Sequence, residues 1–499
     1  MPVLILQGHN ETYAATEMMR LFFGNPVDVS PGRIQAGAPG NSLLSSLAPQ
    51  GENVRVSTAV CPSDADRTGT TEPQPAFTAV VASGQATREI KRQLYQLLSV
   101  LTKRSYPWGS LVGIRPTLVA AECLKQTGDE EQARHLLTDT WFVSPHKADL
   151  AIVTARTEEA VLNKIPPGHL LVYVGIPFCP TRCSYCSFIT RDAPAHAALL
   201  EPYVHAIVTE ARTLFQKIRT PVAALYVGGG TPTSLSAGQL DRLLQSVLSC
   251  LPLAPDAEIT VEAGRPDTIV EDRLHVLRAA GVTRLCINPQ TFHDRTLQRI
   301  GRCHSTEQTL AACHLAAGMG FDHVNLDLIG GLPGEQPADL DFSLEQALAL
   351  KPASLTLHAL ALKRSSALYE ADAGTRQSGG SSPLMLPTGA QSLQPAWDDK
   401  LQTARKLLAA SGLYPYYLYR QKQAIGGLEN TGFALAGKAC LYNVGMMSDR
   451  RGVVGIGSGA VSKKVRGMRV ERQANPRELA IYIERVKALT ERKISWYTT

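Results

Sequence analysis

The chain has few of the features that mark exported, membrane-spanning or nucleic-acid-binding proteins. It carries ten cysteines in 499 residues, it has no apolar run near the roughly 18 residues that cross a bilayer, and no basic leader precedes its first apolar segment. Its 50 Lys and Arg exceed its 44 Asp and Glu by a formal charge of +6, but no basic tail or block concentrates that charge. These absences exclude a disulfide-stapled scaffold and a membrane span, and they give no support to nucleic acid as a partner. We therefore expect a cytoplasmic protein whose cysteines are thiols or metal ligands.

Hydrophobic residues make up 44% of the chain, which is enough for several domains. Residues 1–165 predict a small N-terminal α/β domain, with a strand over residues 2–8 and a helix over 10–22. A loose, loop-rich stretch is expected from Ser30 to Pro75, with few apolar periodicities beyond Asn53–Val60. A strand over 77–81 follows, and then helices over about 85–103, 117–125 and 145–163. Pro166-Pro167-Gly168 breaks the pattern and predicts a domain boundary.

Residues 166–365 alternate short apolar runs with amphipathic helical segments. The predicted strands cover about 170–175, 223–228, 258–262, 284–288, 323–328 and 354–358. Regular β-then-α succession implies parallel pairing with right-handed crossovers, in a doubly wound sheet or a partial (β/α)6 barrel. Both architectures place their functional sites at the carboxyl ends of the strands.

Residues 366–499 predict a mixed C-terminal region that covers the substrate. A polar surface excursion is expected over 374–395, and a helix near 397–411. A glycine-rich turn is expected at Gly455-Ile-Gly457-Ser-Gly459, and a terminal helix around 476–491.

Three cysteines, Cys179, Cys183 and Cys186, form a C-x3-C-x2-C group just after the first predicted strand. Grouped thiolates favour zinc or iron–sulfur. A structural zinc site needs four protein ligands, yet Phe occupies position 188 and the nearest histidine is His196. A [4Fe–4S] cluster accepts three cysteines and leaves one iron open for chemistry. The spacing favours the cluster, with zinc and an inert thiol group as alternatives, and we interpret the other seven cysteines as bystanders.

Other distinctive residues also follow strands of the predicted sheet. Gly228-Gly229-Gly230-Thr231 ends the second strand, Glu262 ends the third, Gln290 follows the fourth, and Asp327 ends the fifth. All of them are therefore expected at one rim, which we predict to be the site. Ordinary structural explanations exist for several candidates. The glycines could simply form a tight turn, and Glu262 could form a salt bridge at the rim. Arg302 could be an ordinary surface charge, and Tyr173 could be an ordinary core residue.

The cysteine spacing after the first strand of a six-unit β/α array resembles the radical S-adenosylmethionine (SAM) superfamily. Several segments are similar to the oxygen-independent coproporphyrinogen III oxidase family: Tyr173-Val-Gly-Ile-Pro-Phe-Cys179, Gly228-Gly-Gly-Thr-Pro-Thr233, Asn288-Pro-Gln290, Gly301-Arg302 and Asn325-Leu-Asp327-Leu-Ile-Gly-Gly-Leu-Pro333. Outer segments resemble the HemZ-type branch: Pro107-Trp-Gly-Ser-Leu-Val-Gly-Ile-Arg-Pro116, His358-Ala-Leu-Ala-Leu-Lys-Arg-Ser-Ser366 and Tyr416-Tyr-Leu-Tyr-Arg-Gln421.

The resemblance implies residue roles. The three cysteines would hold a [4Fe-4S] cluster, and SAM would be bound by Tyr173, Gly229, Gly230, Thr231, Glu262, Gln290, Arg302 and Asp327. Tyr185 and Ala361 match positions that line a second SAM molecule. Lys363 or Arg364, after the sixth strand, could pair with the carboxylates of a tetrapyrrole, although a solvated basic patch is the alternative.

The implied reaction is the oxidative decarboxylation of coproporphyrinogen III propionates to vinyl groups, which gives protoporphyrinogen IX in haem biosynthesis. The implied partners are a tetrapyrrole and a low-potential electron donor such as flavodoxin or ferredoxin, and we expect a monomer.

Two residues depart from the oxidase pattern. Gly175 replaces a histidine, and Phe188 replaces a fourth cysteine, a change shared with haem-binding relatives. A haem-binding or haem-delivery protein that keeps the cluster is therefore the alternative. An RNA-modifying radical enzyme would need a basic patch that the sequence lacks.

Overall fold

The computed structural model describes residues 3–24, 27–32, 42–61, 74–188, 190–361, 363, 365–370, 394–421, 424, 427–467 and 469–498. No helix in these ranges combines the length and the apolar character that crossing a bilayer requires. The predicted surface excursion over 374–395 lies outside the described residues, apart from its last two positions, which begin a helix. Leu362 and Arg364 also lie outside them.

The N-terminal region begins with a five-stranded sheet in the order β2-β1-β3-β4-β5. Its strands are β1 Val3–Gln7, β2 Asp28–Pro31, β3 Leu43–Gln50, β4 Asn53–Val60 and β5 Phe77–Ala82, and helices α1 Thr12–Phe23 and α2 Ala86–Thr102 accompany them. The prediction of a loose stretch from Ser30 to Pro75 was wrong for β3, which pairs antiparallel with β4 from Leu43↔Val60 to Gln50↔Asn53. The apolar pattern noted over Asn53–Val60 coincides with β4. The two strands are stabilised by this hairpin and by helix packing, which a weak apolar pattern alone does not reveal.

A second helical layer connects this sheet to the central region. It comprises α3 Pro116–Thr127, α4 Glu130–His135, a π-helical turn Leu136–Thr140 and α5 Pro145–Leu162. The sequence analysis missed α4, a short helix in which the Asp129 side chain accepts from the backbone N–H of Gln132 at 2.8 Å. Trp108 and Leu111 are buried with α3 and α5, so this layer has its own small core.

Six parallel strands form the centre of the molecule, as predicted. They are β6 Leu170–Ile176, β9 Val222–Gly229, β10 Leu253–Ala263, β11 Arg284–Gln290, β12 Val324–Gly330 and β13 Ser354–Ala359. The crossover helices are α6 Ala197–Lys217, α7 Ala237–Leu248, α8 Glu271–Ala279, α9 Asp294–Arg299, α10 Thr306–Gly318 and α11 Asp339–Ala349. Continuous apolar runs build these strands because the barrel interior and the helices cover both of their faces, as in β9, where residues 222–228 are all buried.

The six strands form an open barrel that continues at both edges. The sheet order is β14-β15-β13-β12-β11-β10-β9-β6-β16-β17-β18. The added strands are β14 Tyr414–Arg420, β15 Glu429–Ala434, β16 Val453–Ile456, β17 Val461–Arg466 and β18 Arg469–Ala474. β15 pairs antiparallel with β13, and β16 pairs parallel with β6. The C-terminal region therefore shares one sheet with the six central strands.

The prediction of a turn at Gly455-Ile-Gly457-Ser-Gly459 was wrong for its first half. Gly455 and Ile456 belong to β16, beside Tyr173 and Val174 of β6. A Cβ on Gly455 would lie 2.7 Å from the backbone of Val461. The lack of a side chain at this position therefore allows β16 and β17 to approach each other closely. The C-terminal helices are α12 Gln394–Ala410, α13 Leu441–Ser448 and α14 Leu479–Thr498. The division at residues 165 and 365 stays a prediction.

Candidate functional site

The loop that carries the three cysteines is fixed to the rim of the barrel by backbone hydrogen bonds. Phe178–Cys179 (β7) pairs with Arg191–Asp192 (β8). The backbone N–H of Thr231 donates to the carbonyl of Phe178 at 2.7 Å, and that of Gly230 donates to the carbonyl of Ile176 at 2.7 Å. The loop is therefore held against the carboxyl ends of β6 and β9.

The three thiols lie close together at this rim, and none of the ten cysteines is in a disulfide. The Cys179 Sγ is 3.4 Å from the Thr231 hydroxyl oxygen, and a guanidinium nitrogen of Arg265 is 3.8 Å from the Cys183 Sγ. Burial raises the pKa of the Cys179 thiol to about 11 and also raises the pKa of Cys186. These thiols therefore need a cationic centre to ionise readily.

The grouping of the cysteines does not suit a single metal ion. Within the described ranges, no three His, Cys, Asp or Glu side chains are arranged to hold one ion. A tetrahedral zinc site would require such convergence. An iron–sulfur cluster spreads its thiolate ligands over separate irons and does not require such convergence.

Arg265 is a site residue that the sequence analysis missed. Its side chain is fully buried beneath the cysteine loop, where it donates to the Thr181 carbonyl at 3.1 Å and to the Thr181 hydroxyl at 2.9 Å. It follows the end of β10, only three residues after Glu262. An arginine directly after a strand that carries a candidate ligand is the signal that could have found it.

The glycines at the end of β9 have an observed packing role. Gly229 has φ of +106°, and a Cβ there would lie 2.8 Å from the Tyr173 hydroxyl oxygen. A Cβ on Gly230 would lie 2.6 Å from the Phe178 carbonyl oxygen. Both glycines are thus required by the close approach of β6 and the cysteine loop. Their contact with a cofactor stays a prediction.

Glu262 lies inside the rim with neutral donors around it. It accepts from the Tyr226 hydroxyl at 2.5 Å and from the backbone N–H of Gly229 at 3.0 Å. Among the described residues no Lys, Arg or His is within ion-pair distance of it, which argues against the rim salt bridge. Burial raises the pKa of Glu262 to about 7. The Tyr226 ring stacks on Tyr442, with ring centroids 4.6 Å apart, and so closes one side of this carboxylate.

Arg302 is buried at the rim and is not a surface charge. Its side chain donates to the Asn288 carbonyl at 2.5 Å and to the Gly264 carbonyl at 3.3 Å, and it reaches the Tyr185 hydroxyl at 3.5 Å. Several polar atoms here are buried without a partner among the described residues: Arg302 Nε, Asn288 Oδ1 and Gln290 Oε1. Gln290 also has φ of +70°, a strained value for a residue with a side chain. Unpaired buried polar atoms of this kind are expected where a ligand completes the hydrogen bonding.

Asp327 belongs to a polar chain that the sequence analysis saw only in part. It accepts from Asn325 Nδ2 at 2.8 Å, and His358 Nε2 is 3.6 Å away. Burial opposes ionisation of Asp327, but His358 together with hydrogen bonds from Asn325 and Thr356 more than offsets it, so the pKa of this carboxyl is lowered. The other ring nitrogen of His358 faces Asn430 Oδ1 at 3.2 Å. Asn430 is contributed by β15, so only the tertiary fold brings it to the rim.

The segment after β13 folds back onto the cysteine loop. The backbone N–H of Leu368 donates to the Ser184 carbonyl at 2.9 Å, and Arg182 donates to the Ser365 carbonyl at 2.7 Å. Lys363 lies in this segment, and burial lowers the pKa of its ammonium, an effect that nearby Cys186 partly opposes.

The other residues singled out from the sequence lie around this segment. Ala361 forms an isolated bridge with Ala424. Phe188, at the end of the cysteine loop, is 66% exposed.

Gly175 has little room for a larger residue. A Cβ there would lie 3.2 Å from Cε1 of the Tyr173 ring, and the Gly175 carbonyl already accepts from the Tyr203 hydroxyl at 2.7 Å. A histidine at this position would require Tyr173 to move. Glycine at position 175 therefore allows Tyr173 to occupy its position beside Gly229.

Comparisons with known proteins identify the family of this chain. Residues 173–347 match the radical SAM superfamily. The oxygen-independent coproporphyrinogen-III oxidase-like protein HemZ of Bacillus subtilis is 33% identical over 430 residues, which cover 85% of this chain and 83% of that protein. The heme chaperone HemW of Escherichia coli is 32% identical over 301 residues, 60% of this chain and 71% of its own length.

Among solved structures, the coproporphyrinogen III oxidase HemN of E. coli has the same fold. It matches with a TM-score of 0.50 and 24% identity, covering 67% of this chain and 73% of the other.

The open barrel, its rim and the superfamily match define a radical SAM protein. More narrowly, the chain belongs to the family of HemZ-type, oxygen-independent coproporphyrinogen-III oxidase-like proteins. The predicted cofactors, a [4Fe-4S] cluster and SAM, are confirmed as those of this superfamily. The rim fits them, because it combines three soft thiols with buried polar atoms that have no protein partner.

Proposed function

We propose that this chain is a radical SAM oxidoreductase that decarboxylates propionate side chains of coproporphyrinogen III to vinyl groups. Cys179, Cys183 and Cys186 hold the cluster. SAM is held by the rim residues Tyr173, Gly229, Gly230, Thr231, Glu262, Gln290, Arg302 and Asp327. When bound, the reduced cluster and SAM supply a 5′-deoxyadenosyl radical, and an external acceptor takes the electron that decarboxylation releases. A second SAM molecule beside Tyr185 and Ala361 belongs to this proposal.

The side chains of the protein place positive charge at the cysteine loop, orient the cofactor and enclose Glu262. Arg265 and Arg302 bring two permanent positive charges to the cysteine loop and so favour its thiolates. Glu262, once ionised, accepts hydrogen bonds from the cofactor amine or hydroxyls. The stacked rings of Tyr173, Tyr226 and Tyr442 cover the inner side of Glu262 and exclude water from it.

The observation that carries the substrate assignment is the return of residues 363 and 365–368 onto the cysteine loop. The contacts of Arg182 with Ser365 and of Ser184 with Leu368 bring a basic segment beside Cys186. A substrate with propionate arms needs cations next to the reacting carbon, and Lys363 and Arg182 provide them. The family relationship to coproporphyrinogen-III oxidase-like proteins supports the same substrate.

Haem binding without decarboxylation is the second candidate. Phe188 favours it, because a large aromatic side chain that is 66% exposed beside the cysteine loop suits the flat apolar face of a porphyrin. HemW relatives named as heme chaperones support it as well.

Anaerobic turnover separates the two functions. The reconstituted protein is incubated with SAM, a low-potential reductant and coproporphyrinogen III, and 5′-deoxyadenosine and protoporphyrinogen IX are quantified. We expect both products to increase together. Formation of 5′-deoxyadenosine without consumption of the porphyrinogen, combined with tight haem binding, would reject decarboxylation and support the haem-binding protein.

Lys363 provides a sharper test of the substrate assignment. We expect Lys363→Ala to raise the KM for the porphyrinogen about tenfold, since one charged contact to a carboxylate contributes roughly 1.5–3 kcal/mol, while the rate of SAM cleavage without substrate is unchanged. Lys363→Arg should recover part of the loss. The exposed Lys406 on α12 is the control, and Lys406→Ala should leave the KM unchanged. An unchanged KM in Lys363→Ala would contradict the role of this residue.

A further inference from the structure

A basic pocket of about 400 Å³ lies at the opposite end of the barrel from the cysteine loop. Its lining includes Leu170 at the start of β6, Thr220 just before β9 and Gly452 just before β16, so it sits at the amino ends of these strands. The chemistry described above occurs at their carboxyl ends. The pocket is therefore separate from the cofactor site.

The lining of this pocket is strongly cationic. Six Lys and Arg residues contribute to it, and no Asp or Glu does: Lys217, Arg219, Arg450, Arg451, Lys463 and Lys464. Arg450 is paired with Glu159, and Lys463 is paired with Asp449. For the other four, no carboxylate within the described ranges is close enough for an ion pair. Their charge is left to solvent or to a ligand.

A second pocket, of about 450 Å³, shows that positive charge is not a general property of this end of the barrel. Its cations are Arg278 and Lys438, and Asp322 is also in its lining. Lys438 pairs with this Asp322 at 3.6 Å. Of these two pockets, the first is the one that concentrates several unpaired cations.

Two of the four unpaired cations, Arg451 and Lys464, are held in place by backbone carbonyls, whereas Lys217 and Arg219 are exposed. Arg451 donates to the carbonyls of Leu162 and Ile165 at 2.8 and 3.2 Å, and Lys464 donates to the Trp496 carbonyl at 2.9 Å. These neutral contacts fix the side chains without cancelling their charge. Preorganised cations of this kind suit a multiply charged anion, because little conformational entropy is lost on binding.

The shape and the remaining lining define the ligand further. Alongside the cations, the pocket has the ring of Tyr497 and the apolar side chains of Ile218 and Val465. Its volume lies in the range of small-ligand sites. We propose that this pocket binds a small phosphorylated molecule of nucleoside-diphosphate size, with the diphosphate against the four unpaired cations and the organic part against Tyr497. Nothing in this proposal depends on the cluster or on the tetrapyrrole.

Calorimetric titration of the full-length protein with ADP tests the proposal. Saturating SAM is present, so that any adenosine subsite at the carboxyl-end rim is filled. We expect one saturable ADP site, competition by inorganic pyrophosphate and no binding of adenosine. Affinity should fall as salt is raised, since the contacts are charged and open to solvent.

Variants locate the site. Lys217 and Arg219 are exposed, so Lys217→Ala with Arg219→Ala should fold normally and weaken ADP binding at least tenfold. Arg212→Ala, an exposed cation on the same helix but outside the pocket, should bind ADP as the parent does. Absence of saturable ADP binding, adenosine binding as tightly as ADP, failure of pyrophosphate to compete, or equal affinity in the double variant would each overturn the proposal.

Discussion

At the scale of single residues, several buried polar atoms at the rim have no partner among the residues that the structure describes. Each buried donor or acceptor without a partner costs about 1–3 kcal/mol, and three such atoms lie on Asn288, Gln290 and Arg302. The strain at Gln290 adds to this cost. A ligand that satisfies these atoms recovers this free energy. We therefore expect SAM to stabilise the protein by more than its contact area alone would suggest.

The cluster ligands can be tested against a cysteine in the same chain. Cys183→Ala should abolish the visible absorption of the reconstituted protein, because two thiolates cannot retain the cube. Cys303→Ala is the control, since Cys303 is the exposed cysteine among the ten and should keep iron and colour. Iron and sulfide analysis of both variants checks the expectation. Full iron content in Cys183→Ala would contradict the assignment.

The raised pKa of Glu262 predicts a pH dependence of SAM binding. Binding needs the carboxylate, and a pKa of about 7 means that this form is lost as the pH falls through 7. We expect the affinity of the parent to fall about tenfold between pH 8 and pH 6, beyond any change seen in Glu262→Gln. Calorimetry of both proteins at several pH values isolates the contribution of this side chain, because the titration of SAM itself is common to the two. Parallel pH profiles would contradict the prediction.

At the scale of elements, α14 is locked to the barrel by a buried ion pair. Glu210 of α6 accepts from Lys493 and from the Tyr482 hydroxyl, at 2.6 Å in the latter case, and Lys493 also donates to the Gly455 carbonyl at 2.5 Å. Glu210 further accepts from the backbone N–H of Gly457 at 3.0 Å. The network thus connects α6, β16 and α14 directly behind β6, the strand that leads into the cysteine loop.

Removing one partner of this pair should be costly. Lys493→Met leaves Glu210 charged and buried, and we expect a loss of about 3–5 kcal/mol in the stability of this part of the molecule. Lys487→Met, an exposed position on the same helix, should have little effect. Thermal unfolding and the cluster content of both variants provide the measurement. The double variant Lys493→Met with Glu210→Gln should recover part of the loss, and its failure to do so would contradict the role of the unpaired charge.

The elements also show what the sequence could and could not predict. Strands β6 and β9 to β13 follow from continuous apolar runs, and the cysteine loop follows from spacing, although its short strands β7 and β8 were not predicted. In contrast, β3 and β16 depend on partners far away in the chain: β3 pairs with β1, and β16 pairs with β6. Glycines near β16 resemble a turn signal, yet Gly455 meets a requirement for close packing. Asn430 was missed for the same reason, because it becomes a site residue only through tertiary contact. Arg265 differs, because its position directly after β10 was a local signal.

At the scale of the whole molecule, the N-terminal region is joined to the barrel edge by buried charges. Lys147 of α5 donates to Glu429 at 2.6 Å and pairs with Asp398 at 2.7 Å, and the Trp108 indole donates to Glu429 at 2.8 Å. Glu429 lies on β15, one strand from the polar chain of Asp327 and His358. The N-terminal region therefore supports the side of the barrel where the site is completed.

We expect Lys147→Met to loosen this connection. The variant leaves Glu429 paired with Arg405 but Asp398 without its lysine, so the N-terminal region should become about tenfold more sensitive to limited proteolysis, which corresponds to roughly 1.4 kcal/mol. Lys125→Met, an exposed position of α3, is the matched control. Identical digestion patterns for the two variants would contradict the proposed support.

The position of β16 in the sheet has a consequence for biosynthesis. β6 is an early strand, but its neighbour on one side comes from the last part of the chain. During translation, β6 and the cysteine loop that follows it emerge long before β16 and α14 can pack against them. Pairings between distant segments form late, because a long loop must close first. The strand that leads into the cysteine loop thus gains its last neighbours only after β16 and α14 have been synthesised. We therefore expect cluster insertion to follow synthesis of these segments rather than accompany it.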